Sequence, residues 1–159
     1  MSRSGQPEIE LLNAQGMEIV IVASNWHREI MDALISSATD YCVSAGAEIR
    51  VVRVPGSFEI PIAASAAIDD DVDAVIALGV IIRGETPHFE YVAQGVTQGL
   101  VSLMIESGTP IGFGVLTCDN EKQAIDRAGL PGSKEDKGKE AAYAAIATAL
   151  MLQTEFDAQ

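Results

Sequence analysis

The chain has 159 residues, 48% of them apolar and 21% charged, which suits one domain with a single sizeable core and excludes a disordered polymer. Its net charge is −13 with only ten Lys plus Arg, so it lacks the contiguous basic surface that binding to nucleic acid or an anionic membrane requires. No apolar run reaches the length of a membrane span and the polar N-terminus has no signal-peptide core; the widely separated Cys42 and Cys118 read as small buried thiols of a reducing cytoplasm.

Residues 1–15 show no clear periodicity and are expected to form a flexible arm, or a segment that orders on a partner, ahead of one domain over residues 16–159. Glu18–Ala23 is a continuous apolar run, as in a strand covered on both faces. From about Arg28 to Ala45, Ile30, Leu34, Ala38 and Tyr41 recur at helical spacing. Ala47–Val54 is β-branched again, and Glu59–Ile68 reads as a helix whose Pro61 falls in the first turn, where an N–H has no helical partner to lose. Ala74–Ile82 is the most apolar strand. Thr86-Pro87 opens a helix with proline at its first position, running to about Ser107. Ile111–Leu116 is a fourth strand, and Asn120–Ala128 a short helix opened by Asp119 or Asn120. A Gly/Pro/charged linker, Leu130–Asp136, leads to a long alanine-rich helix from Lys137 to about Phe156.

Strict alternation of strands and helices predicts an α/β domain, a parallel sheet with helices on both faces. Ligands of such sheets sit beyond the carboxyl ends of the strands, at the topological switch point. The loops after each strand therefore carry the candidates. Trp26 is the single tryptophan and follows the first strand, where an indole can stack on a flat heterocycle. Ser57-Phe58-Glu59 opens a helix, so free amides and one carboxylate lie ready for the hydroxyls of a polyol, although a carboxylate is favoured there in any case.

Gly79 to Thr86 nearly matches the phosphate-cradling pattern G-x-x-x-x-G-K-S/T, but the lysine position holds Glu85, which excludes a nucleoside triphosphatase. What remains is a glycine turn into a helix N-terminus, able to bind one phosphate through backbone N–H groups. No G-x-G-x-x-G follows a strand, so no dinucleotide cofactor is expected. His88 lies in the first turn of that helix, whose positive end favours a proton-accepting imidazole. With two histidines and no carboxylate cluster at ligand spacing, no metal site is expected. Arg127, one of few cations, suits either a helix C-terminus or a phosphate; for the latter it must come from a neighbouring subunit, because it lies away from Thr86 within one chain.

Taken together, the stretches A-S-N-W-H, V-P-G-S-F-E-I-P, A-L-G-V-I-I-R-G-E-T-P-H-F-E-Y-V, G-V-L-T and Q-A-I-D-R-A-G, followed by D-K-G, resemble the 6,7-dimethyl-8-ribityllumazine synthases over nearly the whole chain from Glu18. The resemblance implies a flavodoxin-like three-layer α/β/α domain with a four-stranded parallel sheet, assembled as homopentamers with active sites between subunits. It implies two substrates, 5-amino-6-(D-ribitylamino)uracil and 3,4-dihydroxy-2-butanone 4-phosphate, and no cofactor. In the family, the position of Trp26 stacks on the pyrimidine. The positions of Ser57, Phe58 and Glu59, and of Val80, Ile81 and Ile82, hold the ribityl chain and ring edge. Backbone at Glu85 and Thr86 takes the phosphate, with Arg127 from the neighbour; Glu85 must then turn its carboxylate away. His88 matches the proton-transfer residue, Phe113 a position lining the pyrimidine site from the adjacent subunit, and Lys137 a lysine near the site.

The implied chemistry is attack of the 5-amino group on the ketone to give an imine, elimination of phosphate, and ring closure by the ribitylamino nitrogen with loss of water. Two alternatives stay open: a related enzyme that dismutates two lumazines to riboflavin, and a non-catalytic flavin or lumazine carrier. The linker Leu130–Glu135 is longer than in members that close into large shells, so a free pentamer is expected.

Overall fold

The structure, a computed structural model, describes residues 8–156. Its elements are β1 (Glu18–Ser24), α1 (Arg28–Ser44), β2 (Glu48–Val54), a 3-10 turn (Ser57–Glu59) running into α2 (Ile60–Asp69), β3 (Ala74–Ile82), α3 (His88–Ser107), β4 (Ile111–Cys118), α4 (Glu121–Ile125) and α5 (Lys137–Glu155). All four strands are parallel, in the order β2-β1-β3-β4. The expected flavodoxin-like architecture is therefore present, with its switch point between β1 and β3.

The apolar runs of β1 and β3 are buried almost throughout because both faces of the sheet are covered. Alternate residues serve the two layers: Ile19, Ile21, Ile76 and Leu78 face α1 and α5, while Val20, Val22, Val75 and Ala77 face α2 and α3. The helical spacing read in α1 is the buried stripe, Ile30, Leu34, Ala38 and Tyr41 with Met31 and Cys42 beside it. No helix among the described residues is long and apolar enough to cross a membrane.

Residues 8–15 form neither helix nor strand, yet Ala14 is buried and Ile9 and Leu12 pack on the α1/α5 layer. The Ala14 amide donates to the Ala45 carbonyl at 2.7 Å, and the Tyr41 hydroxyl donates to the Glu10 carbonyl at 2.7 Å. This is the described part of the expected arm; residues 1–7 lie outside the described residues.

Three boundaries differ from the periodic reading, each for a local reason. Pro87 caps α3 instead of entering it, so His88 is the first helical residue. The helix before β3 begins with a tight 3-10 turn, where the Glu59 amide reaches back to Gly56. Helix α4 stops at Ile125, because the Arg127 and Ala128 amides bond three residues back, to Ala124 and Ile125, and Gly129 then adopts φ 72°.

Candidate active site

A cleft of about 460 Å³ opens at the carboxyl edge of the sheet, over the β1/β3 switch point. Three loops build it. After β1, His27 takes the left-handed conformation (φ 55°, ψ 58°), so α1 turns away while Trp26 stays outside with 68% of its surface exposed. After β2, Gly56 makes room for two side chains at once: a Cβ there would lie 3.1 Å from Glu59 Oε2 and 3.7 Å from Trp26 Nε1. The carboxylate and the indole edge therefore share one wall. Ser57, next in line, fits against β3 only because residue 79 is glycine, whose Cβ would stand 2.7 Å from Ser57 Oγ. That hydroxyl and the Ser24 hydroxyl are buried with no hydrogen-bond partner among the described residues. Ser57 lines the cleft, with its own hydroxyl tucked in against Gly79.

After β3, Val80, Ile81 and Ile82 line the cleft, followed by Gly84 and Thr86 at the start of α3. Thr86 Oγ1 accepts from the His88 amide at 3.4 Å, a weak cap on the first turn of α3. His88 is exposed and lines the cleft with Phe89 and Val92. Arg83 lies just beyond the floor. Its Nη1 donates to Glu90, its Nε donates to Asp119 at 2.9 Å, and its guanidinium stands 4.2 Å from the Phe89 ring centroid. Hydrogen bonds from Arg83 hold both carboxyls below the usual carboxylate range.

The cleft thus joins nine of the residues read from the sequence: Trp26, Ser57, Phe58, Glu59, Val80, Ile81, Ile82, Thr86 and His88. Glu85, Phe113, Arg127 and Lys137 do not line it. Glu85 is exposed beside the rim. Phe113 stands on edge strand β4, 46% exposed. Arg127 Nη1 donates to the Gln123 carbonyl at 2.8 Å, and its own carbonyl accepts from the Lys137 amide at 2.9 Å, so these two cations belong to one unit. Lys137 Nζ also pairs with Glu135 at 2.7 Å and Glu140 at 2.6 Å. Burial pulls its ammonium down, but the bonds to Glu135 and Glu140 outweigh that and leave it raised.

Sequence reasoning passed over Gly56, Phe89 and Val92. Val92 was accessible as the helical neighbour of His88 four positions on, whereas Phe89, one position on, was not; Gly56 has a role only once Trp26 and Glu59 are known to meet over it.

One wall offers an exposed indole with a carboxylate, the floor is aliphatic, and the rim holds an imidazole and a helix start. Such a slot fits a flat heteroaromatic ring bearing a hydroxylated arm. Residues 16–153 match the family model described as 6,7-dimethyl-8-ribityllumazine synthase. The chain is 55% identical over 160 residues to a Renibacterium salmoninarum protein of that name, covering 96% of this chain and 100% of the relative. Relatives of the same name from Clavibacter michiganensis and Streptomyces coelicolor are 54% and 52% identical, each over 97% of this chain and covering 98% and 96% of their own lengths.

Proposed function

This chain belongs to the 6,7-dimethyl-8-ribityllumazine synthase family, and from that membership we propose how its cleft performs the reaction. The protein is a transferase of riboflavin biosynthesis that condenses 5-amino-6-(D-ribitylamino)uracil with 3,4-dihydroxy-2-butanone 4-phosphate. The observation that carries the assignment of roles is the meeting of Trp26, Glu59 and His88 at one cleft over the switch point.

Trp26 stacks on the pyrimidine. Ser57, Phe58 and Glu59 take the ribityl hydroxyls, and that all three line the cleft supports that role. Val80, Ile81 and Ile82 hold the ring edge. The amides of Glu85 and Thr86 bind the phosphate, which requires the Glu85 carboxylate to turn away from it; Thr86 lines the cleft and Glu85 is exposed beside it. His88 moves protons between the 5-amino group, the ketone oxygen and the departing water. Holding two substrates in register supplies most of the acceleration, up to roughly 7–11 kcal/mol, and the imidazole adds roughly 10²–10⁴-fold.

The site is completed by a second copy in a homopentamer, which contributes Phe113, Arg127 and, close by, Lys137. Two facts support this: none of the three lines its own chain's cleft, and α2 and α3 leave large apolar side chains uncovered. The longer linker after α4 favours free pentamers over shells. The same reading puts the enzyme in the cytoplasm, where the buried Cys42 and Cys118 stay reduced.

Mixing both substrates with the protein is expected to give lumazine fluorescence and one phosphate per lumazine. His88→Ala should lower kcat by roughly 10²-fold or more and leave a measurable residue of turnover. Fluorescence from lumazine alone turning to flavin would favour the dismutase instead, and binding without turnover would favour a carrier.

A further inference from the structure

We propose that Arg83 is a positioning residue, which clamps the phosphate loop and the start of α3 so that the Glu85 and Thr86 amides and the His88 imidazole face the same substrate. The inference rests on the phosphate role given above to that loop.

The clamp joins three segments. The Arg83 amide donates to the Cys118 carbonyl at 2.9 Å, adding one rung to the β3–β4 ladder beyond the strand ends. Its guanidinium then bonds to Asp119, just past β4, and to Glu90, in the first turn of α3. Its contact with Phe89 fixes a ring that lines the cleft. The stretch closed by the Arg83–Glu90 pair includes Gly84, Glu85, Thr86 and His88. Within that stretch the one side-chain hydrogen bond among the described residues is the 3.4 Å contact of Thr86, and a Cβ added at Gly84 would meet nothing within 4 Å. A short loop with so little internal support takes its shape from whatever pins its ends.

A direct Coulombic role for Arg83 toward the anion is opposed by its partners. One guanidinium charge faces two carboxylates, so Arg83, Glu90 and Asp119 together repel a phosphate. Arg83 is also absent from the cleft lining. The two roles therefore predict opposite signs for neutralising Glu90. If the cluster acts by charge, removing a carboxylate tightens phosphate; if it acts as a clamp, removing a strut weakens it.

The test measures, on the intact assembled enzyme, KM for each substrate and inhibition by inorganic phosphate in Arg83→Met, Arg83→Lys, Glu90→Gln and the Arg83→Met/Glu90→Gln double variant, with Arg127→Ala as reference. Arg83→Met should raise the sugar-phosphate KM and the phosphate inhibition constant about five- to tenfold, with the pyrimidine KM within about twofold of the parent. Arg83→Lys should recover little, because an ammonium cannot span both carboxylates as the planar fork does. Glu90→Gln should weaken phosphate in the same direction, and the double variant should be no worse than Arg83→Met. Tighter phosphate in Glu90→Gln, unchanged constants in Arg83→Met, or equal loss for both substrates with a lower Tm would each overturn the inference. If Arg127→Ala weakens phosphate while Arg83→Met does not, the clamp alone fails. Should neither variant alter phosphate, the phosphate reading of the loop fails with it.

Discussion

Helix α5, on one face of the sheet, buries Gly138, Ala141, Ala142, Ala145, Ile146 and Ala149 among its 19 residues, whereas α3, on the other face with 20 residues, buries only Val96 and Leu100. The sealed face is built on close approach: a Cβ at Gly138 would run into the Leu34 carbonyl, and one at Gly112 into the Ala141 carbonyl. Small residues there let α5 sit down on α1 and β4. The other face keeps an apolar stripe with no cover from its own chain, since Ile62 on α2 and Tyr91 and Ile105 on α3 are each 72% exposed. On α3 the exposed apolar side chains are Tyr91 near its start and Val101 and Ile105, one turn apart, near its end. One face is closed by its own chain; the other, which carries the His88 end of the cleft, is the face that the proposed pentamer would cover.

The largest effect expected from this contrast is on assembly. Ile105 lies at the far end of α3 from His88, so Ile105→Glu should leave the cleft itself untouched. A glutamate in an apolar interface between copies carries a large desolvation penalty. The variant should sediment well below the parent mass, keep its far-ultraviolet helix signal, and lose most of its turnover for want of the neighbour's Arg127. A parent protein that sediments as a monomer, or a variant of unchanged mass, would break the comparison.

A pair of identical substitutions sharpens it further. Gly138→Ala drives a methyl into the Leu34 backbone and should cost roughly 2–4 kcal/mol in denaturant unfolding. Gly95→Ala, on α3, meets Phe58 Cε2 at 3.0 Å, but Phe58 is 62% exposed and free to swing aside. There the higher helix propensity of alanine, worth up to about 1 kcal/mol, should leave stability level or improved. Equal losses from the two would mean that the faces are equally tight.

Much of this contrast was invisible in the sequence, and the reason is physical. Continuous apolar runs in β1 and β3 announce strands covered on both sides, and Ala74–Ile82 falls where the run predicts. Periodicity also found α1, and alanine content α5. But a helical stripe records where apolar residues lie, not what covers them, so Val96 and Ile105 look alike until one is seen buried and the other bare. The cleft shows the same division. Trp26, Ser57 to Glu59 and His88 stood out because each follows a strand end, whereas the Gly56 and Gly79 gaps exist only between loops brought together by the sheet order. The left-handed turn at His27 carries only a faint sequence signal, since histidine is enriched in that conformation but adopts it far less often than glycine does.

The smallest effect belongs to the sealed face and concerns Cys42, which α1 buries completely in the α1/α5 layer. Burial pushes its thiol from 9.0 up to about 11, because the thiolate would lose its water there. A raised value in the folded state means that the contribution is whole below pH 9 and is lost as pH climbs toward about 11, where the unfolded chain releases the proton and the folded chain resists. Comparing denaturant midpoints of the parent and Cys42→Ala at increasing pH isolates this slope from other alkaline effects. The parent should lose about 1–2 kcal/mol more than the variant across that window. At pH 8 the native protein should also resist a thiol reagent until denatured, since neither Cys42 nor Cys118 is accessible. Parallel alkaline slopes, or prompt labelling of Cys42 in the native enzyme, would show that the face formed by α1 and α5 is not sealed.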